Sequence, residues 1–481
     1  MPSIGESSTG KLPSSKDFTK YLNKKSIIRR PDPNGNISKY GSNSSDMISL
    51  GLGHPSPDLF PFSKFGFNLA EYDNETDKIK ESTFGEEISI GTKTAENSSV
   101  EPMGIVLQYG DGVGLRSLVK FFKEHVDQVH KPKYEDWTTV LTVGSTEGFD
   151  KICELFLEIG DSVIIDEFTY INAIITLRGH CANFVTVEKD DEGMIPEALD
   201  RVCTNWTGER PLRLIYLIPN GQNPTGTTMG IKRRQDIYQI CQKHDLIIAE
   251  DDPYCFLQFG GLPVVEPSEE TEEYFSKLPG VKGTLPSLMS MDVDGRVLRL
   301  DTVSKILAPS LRTGWVSGQK KLVDIIQSHI ETSSSRANGV SSGMISRLFN
   351  DHWGHDGFEK HIIFLQKQYL SRRNVLLKAV EKYLGGMATY TLPDCGMFLW
   401  LELNLPPSVA SEPGIMDKIV DSMVENNVLL IPGSQSSPAI DAESVKDAPY
   451  LRATFARAEK KDMPIAIERL AQVLEKYGCK R

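Results

Sequence analysis

Residues 137–160 read WTTVLTVGSTEGFDKICELFLEIG. The first seven, WTTVLTV, are mostly β-branched and apolar, the composition of a buried strand. Gly144-Ser145-Thr146 then opens a helix that runs toward Gly160. A strand that leads directly into a helix is half of a parallel crossover unit, and the pattern recurs. DSVIID (161–166), LRLIYLIP (212–219), DLIIAED (245–251) and RVLRLDTV (296–303) read as four further strands. Helical periodicity separates several of them, as in KRRQDIYQICQKHD (232–245). Continuous apolar strands alternating with helices predict an α/β fold whose large domain has a mainly parallel sheet covered by helices.

A chain of 481 residues exceeds what one core normally covers, so a second domain is expected. Residues 1–25 are Ser/Gly-rich and polar and are expected to form a disordered tail. Residues 26–75 are assigned to an amino-terminal arm and part of a small domain, 76–335 to the large domain, and 336–481 to a smaller α+β domain. From Met47, ISLGLGHPSPDLFPF reads as a short strand ending in a Gly/Pro turn. Asn74–Pro102 is polar and turn-rich and reads as a loop or surface insertion. A second insertion is expected at about 262–292, where EPSEETEEYFSKLPGVKGTLPS (266–287) suggests a solvated acidic excursion.

The charge balance, 53 basic against 65 acidic residues and a net −12, argues against general binding to a phosphate backbone, so no nucleic-acid partner is expected. No apolar run is long enough for a membrane span. The amino terminus has neither the apolar stretch of a secretory signal nor an acid-free, Arg-rich transit composition. Seven cysteines stand singly with no C-x-x-C pair, which suggests reduced thiols in the cytoplasm.

Ligands of open parallel sheets bind beyond the carboxyl ends of the strands. Each of the five strands here ends in residues capable of chemistry. The first gives Ser145 and Thr146 at a helix entry, where free N–H groups favour an anion. The second leads to Tyr170. The third runs into PNGQNPTG with Asn223, the fourth ends at Asp251 with Tyr254 three residues on, and the fifth ends at Ser304-Lys305 with Arg312 seven residues later. Taken singly, each has a structural reading as a helix cap, a turn, a packed ring or a surface cation. Five such endings along one sheet edge fit the needs of pyridoxal 5'-phosphate. Lys305 suits the Schiff-base lysine and Asp251 the partner of the pyridine nitrogen. Asn223 and Tyr254 suit donors to the ring oxygen, Ser145, Thr146, Ser304 and Arg312 a phosphate cup, and Tyr170 a stacking ring.

The ordered motifs SLGLGHPSPDLFPF, LQYGDGVGLRSL, IPNGQNPTG, EDDPYCFLQF, DTVSKILAPSLRTGW, GMFLWLEL and YLRATFA resemble fold-type I pyridoxal-phosphate aminotransferases. Their wording is similar to the fungal aromatic-amino-acid and 2-aminoadipate group, related to kynurenine/2-aminoadipate aminotransferases. The resemblance runs from about residue 25 to the end of the chain. It implies a ping-pong transaminase acting on aromatic amino acids (Phe, Tyr, Trp) or 2-aminoadipate, with a 2-oxo acid such as 2-oxoglutarate as acceptor, the alternative being a kynurenine-preferring aminotransferase. It also implies that Arg452 grips the substrate α-carboxylate, and that Asn223 and Gly53 lie at the substrate. Tyr109 would reach the cofactor of a partner subunit, in a homodimer with shared active sites. Arg29 is the candidate for a basic residue that closes the site. The chain departs from the family in having Gly-Ser-Thr-Glu where a glutamine is frequent, and Leu-Gly where consecutive glycines are usual.

Three rivals use other readings. A cofactor-binding transcription regulator on this fold needs a winged helix, for which the roughly 45 residues before MISLGLG are too short and weakly periodic. A β-lyase or decarboxylase would share the cofactor set but need no 2-oxo acid. The spacing in YGDGVG (109–114) is not the dinucleotide fingerprint. HWGH (352–355) lacks a third metal ligand, and no metal is expected.

Overall fold

A computed structural model describes residues 10–29, 53–73, 78–93, 98–439 and 443–480. The stretch 47–52, read above as strand, lies outside them. The strands used below are, in chain order, β1 (Lys64–Asp73), β2 (Lys78–Gly91), β3 (Trp137–Thr142), β4 (Ser162–Asp166), β5 (Asn183–Val187), β6 (Leu214–Leu217), β7 (Ile247–Asp251), β8 (Val297–Thr302), β9 (Gly314–Gln319), β10 (Ala388–Tyr390), β11 (Phe398–Leu403), β12 (Ile431–Pro432) and β13 (Tyr450–Thr454). Three helices matter to the argument: α1 (Ser145–Phe156), α2 (Ile171–Gly179) and α3 (Gly354–Tyr383). The chain divides into two compact units, Met1–Leu155 with Val293–Glu359, and Phe156–Asp292 with Lys360–Arg481.

In the first unit β9 lies between β3 and β8 and is antiparallel to both. Its first residue, Gly314, faces Thr142 on one side and Thr302 on the other. β3 and β8 therefore point the same way and end level with each other. Glycine is needed at that position, because a Cβ on Gly314 would meet the Asp301 carbonyl oxygen at 2.7 Å and Gly144 at 2.9 Å. A Cβ on Gly148 would likewise press into Leu300 and Val316, at 2.6 and 3.0 Å, so α1 packs closely on the sheet. Below it, the ring of Trp315 stacks on Phe122 with centroids 3.8 Å apart. Within β8, Arg299 and Asp301 form a fully buried two-point ion pair, Nη2 to Oδ1 at 2.8 Å.

Two segments of this unit differ from the sequence expectation. About half of Asn74–Pro102, expected as a loop, is strand: Lys78–Gly91 is the second strand of a long antiparallel hairpin, β1 with β2. The signal is the alternation in EISIG: Ile88 and Ile90 are buried, and they pair with Phe67 and Phe65. Of the tail, the described residues 10–25 pack against the unit. Phe18 is buried beneath the Arg296 guanidinium, and Ser15 donates to Asp136 through both its N–H and its hydroxyl at 2.7 Å.

In the second unit β5, β4, β6 and β7 are adjacent and all parallel. β4, β6 and β7 are buried along almost their whole length, as the apolar runs require. A four-stranded antiparallel sheet, β10-β11-β13-β12, belongs to the same unit. The acidic insertion keeps Glu269, Glu272 and Glu273 in solvent but is anchored to α3. Tyr274 and Phe275 are buried, and Gln366 of α3 exchanges hydrogen bonds with both the N–H and the C=O of Gly280 at 2.9 and 3.0 Å.

Candidate active site

Because β3 and β8 end level, the segments that follow them leave the sheet side by side. After β3, Gly144 turns the chain with φ +84° and α1 begins at Ser145. The carbonyl of Gly144 accepts from the Gly148 N–H, so the earlier N–H groups of Ser145 and Thr146 have no helical acceptor. After β8, Thr302 and Ser304 share a hydroxyl–hydroxyl hydrogen bond at 2.9 Å, and half-buried Lys305 follows in a turn. Arg312, two residues before the pairing glycine, has φ +45°, a left-handed conformation that folds its side chain back. Its Nη2 donates to the Val143 carbonyl at 2.9 Å and its Nη1 to Ser304 Oγ at 3.4 Å. A Cβ on Gly144 would strike this guanidinium. The structure thus brings Ser145, Ser304 and Arg312 together, with Thr146 next to Ser145. Free helix N–H groups, two hydroxyls and an exposed guanidinium are a set that could cradle a phosphate dianion.

The segments that carry Gly53 and Tyr109 meet one another in this unit. Gln108 donates to the Pro55 carbonyl at 2.7 Å, and the Tyr109 ring lies 5.9 Å from that of His54. Gly53 has open space around it and Tyr109 is 63% exposed. Arg29 is not brought to the phosphate cradle. It pairs with Glu154 and Thr332, both at 3.1 Å. Glu154 lies nine residues along α1 from Ser145, about 14 Å at helical rise.

In the second unit the parallel strands deliver their ends to one edge. Asp251 closes β7, 3% exposed, and the phenol of Tyr216 on β6 donates to its Oδ2 at 2.6 Å. Sequence reading missed Tyr216 because it lies within an apolar run. A tyrosine inside an otherwise aliphatic strand, one strand over from a terminal aspartate, was the available signal. Burial pushes the Tyr216 hydroxyl well above its ordinary range, so it stays a donor. Burial does the same to Tyr254, with Asp251 and Tyr170 adding to the rise. Tyr170 caps α2, and its hydroxyl accepts from Asn172 at 2.8 Å.

Arg452 comes from β13, where it faces Trp400 across the small sheet. Its guanidinium lies 4.7 Å over the Phe398 ring, and Nη1 donates to Asn223 Oδ1 at 2.8 Å. That bond fixes the Asn223 amide with its oxygen toward the arginine, which leaves the NH2 end as the donor. Burial lowers the Arg452 pKa, but a guanidinium remains charged at any physiological pH. Asp251, Tyr254, Tyr170, Asn223 and Arg452 therefore belong to one polar cluster of this unit. A buried carboxylate suits a protonated ring nitrogen, buried phenol and amide donors suit a phenolate oxygen, and a guanidinium suits a carboxylate. The donor set of this unit suits the ring and substrate ends of pyridoxal phosphate, and that of the first unit suits its phosphate.

The comparisons agree. The family model for aminotransferase class I and II matches residues 67–470. An aromatic amino acid aminotransferase of Schizosaccharomyces pombe is 34% identical over 474 residues, covering 96% of this chain and 98% of that one. The mitochondrial kynurenine/alpha-aminoadipate aminotransferase of Rattus norvegicus is 30% identical, with 95% and 99% covered. Among solved structures, aminotransferase Aro8 from Candida albicans superposes with a TM-score of 0.86 at 30% identity, over 97% of this chain and 99% of that one. The chain is a member of the class I and II aminotransferase family, with the fold-type I architecture and pyridoxal phosphate as cofactor.

Proposed function

We propose that the protein moves an amino group between an aromatic amino acid (Phe, Tyr, Trp) or 2-aminoadipate and a 2-oxo acid such as 2-oxoglutarate, in two ping-pong half-reactions. The observation that carries this reading is Arg452 bonded to Asn223 with its guanidinium over Phe398, a carboxylate clamp rimmed by an aromatic ring. Relatives at 34% and 30% identity bear the names of aromatic and kynurenine/alpha-aminoadipate enzymes, which supports the choice of donors.

When bound, pyridoxal phosphate supplies the carbonyl that takes up the amino group and a ring that disperses charge from the substrate Cα. The chain's residues do the rest. Ser145, Thr146, Ser304 and Arg312 hold the phosphate. Asp251, oriented by Tyr216, keeps the ring nitrogen protonated, while Asn223 and Tyr254 donate to the ring oxygen and Tyr170 stacks on the ring. Arg452 holds the α-carboxylate, and the amine of Lys305 takes the Cα proton and returns it. Gly53 leaves room for the substrate. Arg29 would have to leave Glu154 and Thr332 to close over it.

Tyr109 serves a partner subunit. Leu59, Phe62 and Ile105 are exposed in the same unit, as is Tyr109, and an exposed apolar group of this kind suits a homodimer that shares its active sites. The seven cysteines are free thiols, which supports a cytoplasmic protein. No helix among the described residues is long and apolar enough to cross a membrane.

The test is a half-reaction. Phenylalanine and 2-aminoadipate, added separately to holoenzyme, should each bleach the visible cofactor band, and 2-oxoglutarate should restore it. A band that neither donor bleaches would refute the assigned substrates. Release of pyruvate without any 2-oxo acid would point to β-elimination instead.

A further inference from the structure

Two turns of the second unit carry proposed site residues, and one buried side chain joins them. The turn after β4 runs from Asp166 to Tyr170, and the turn after β6 contains Asn220 to Thr227. β4 and β6 are parallel neighbours. Gln222, 3% exposed, lies between the turns. Its Nε2 donates to the Phe168 carbonyl at 2.7 Å and lies 3.4 Å from Asp166 Oδ2. Its Oε1 accepts from the N–H and the hydroxyl of Thr225, at 2.9 and 2.8 Å. Its own N–H donates to the Thr227 carbonyl at 2.8 Å, and its carbonyl accepts from the Gly226 N–H at 2.6 Å. All the hydrogen-bonding groups of the residue are thus engaged. On one side the next residue, Asn223, holds Arg452, and on the other Phe168 lies two residues before Tyr170.

We propose that Gln222 is a positioning residue for transamination, a strut that sets the spacing between the Asn223 turn and the Tyr170 turn. An amide suits that work. It offers a donor edge to one turn and an acceptor edge to the other, and it carries no charge that would disturb the nearby Asp251 or Arg452. The inference rests on the functional reading above, in which Asn223, Arg452 and Tyr170 contact cofactor or substrate.

A matched control exists in the same unit. Gln366 is also buried and also engages both ends of its amide, with the Phe256 carbonyl at 2.9 Å and with Gly280. None of these partners is a proposed site residue. The experiment compares wild-type holoenzyme with Q222L and Q366L, measuring Tm, kcat and KM for phenylalanine, and the pH titration of the visible cofactor band. Both variants should lose thermal stability. Only Q222L should raise KM by about tenfold, lower kcat and shift the titration of the band, because only there do the carboxylate clamp and the ring-oxygen donor move. If Q222L does not fold, T225V removes one of the two donors to the Gln222 oxygen and should shift KM and the titration in the same direction by less. Q222L, or T225V in its place, matching Q366L in every readout but Tm would overturn the role of Gln222 alone. A wild-type protein with no visible band would overturn the underlying reading and the proposal with it.

Discussion

The strand ends of the two units handle charge in opposite ways. In the first unit, an antiparallel strand between two parallel ones aligns Gly144-Ser145 with Ser304-Lys305, and Arg312 remains exposed. The backbone itself supplies much of that site, through a helix terminus and a glycine too crowded for any side chain. In the second unit, an all-parallel edge buries Asp251, Tyr254, Tyr216 and Asn223, with Tyr216 donating to Asp251 and Asn223 accepting from Arg452. An anion cradle keeps its cation available for the incoming charge, which then repays its desolvation. A surface that must set the charge state of a ring does so with groups already desolvated and oriented.

If this division holds, variants should sort by unit. The largest effect belongs to Lys305→Ala, which removes the amine assigned to the Cα proton. Turnover with phenylalanine and 2-oxoglutarate should fall by at least about a thousandfold with the fold intact by circular dichroism. Activity within tenfold of wild type would remove Lys305 from its role. Next comes Arg452→Gln, which takes one charged partner from the substrate carboxylate and from Asn223. KM should rise about ten- to a hundredfold while cofactor affinity changes little. A loss of cofactor with KM unchanged would place Arg452 with the wrong ligand. Gly144→Ala should do the reverse. A Cβ there is strained at φ +84° and collides with Arg312, so cofactor dissociation should rise about five- to tenfold with little change in KM at saturating cofactor.

How much of this could be read from the chain depends on distance along it. The strands ending at Asp251 and Thr302, and the helix entry at Ser145, were legible because each is local: a continuous apolar run, then polar residues. The hairpin was missed because Lys78–Gly91 is polar along most of its length, and only the Ile88/Ile90 alternation marks its buried face. Pairing was harder still. Nothing in GWVSGQ shows that Gly314 faces Thr142 and Thr302 together, nor that Arg452 would meet Asn223 from 229 residues away. Tyr216 and Gln222 escaped notice for another reason. Their importance lies in the atoms they hold, and a sequence displays residues but not their partners.

The smallest predicted contrast is in stability rather than turnover, and it again divides the units. In the first, burial together with the His355 and Arg299 charges depresses His125 to about 3, within a ring cluster that includes Trp315 and Phe358. Unfolded histidine binds a proton near pH 6.5 while the folded form does not, so this group costs stability as pH falls from about 6.5 toward 3. In the second unit, burial raises Asp166 to about 7, against weaker lowering by Gln222 and Lys189. There the unfolded carboxyl ionises first, so stability is lost as pH rises from about 4 to about 7. Asp166→Asn should therefore raise Tm at pH 8, by the equivalent of about 1–3 kcal/mol, and by less at pH 5. His125→Gln should lower Tm at pH 8, where only its packing is lost, and the gap to wild type should narrow at pH 5. Thermal denaturation of wild type and both variants at the two pH values checks the pair. Parallel curves for either variant would mean that its group titrates alike in folded and unfolded chains, and that the unit does not hold it as buried as its contacts indicate.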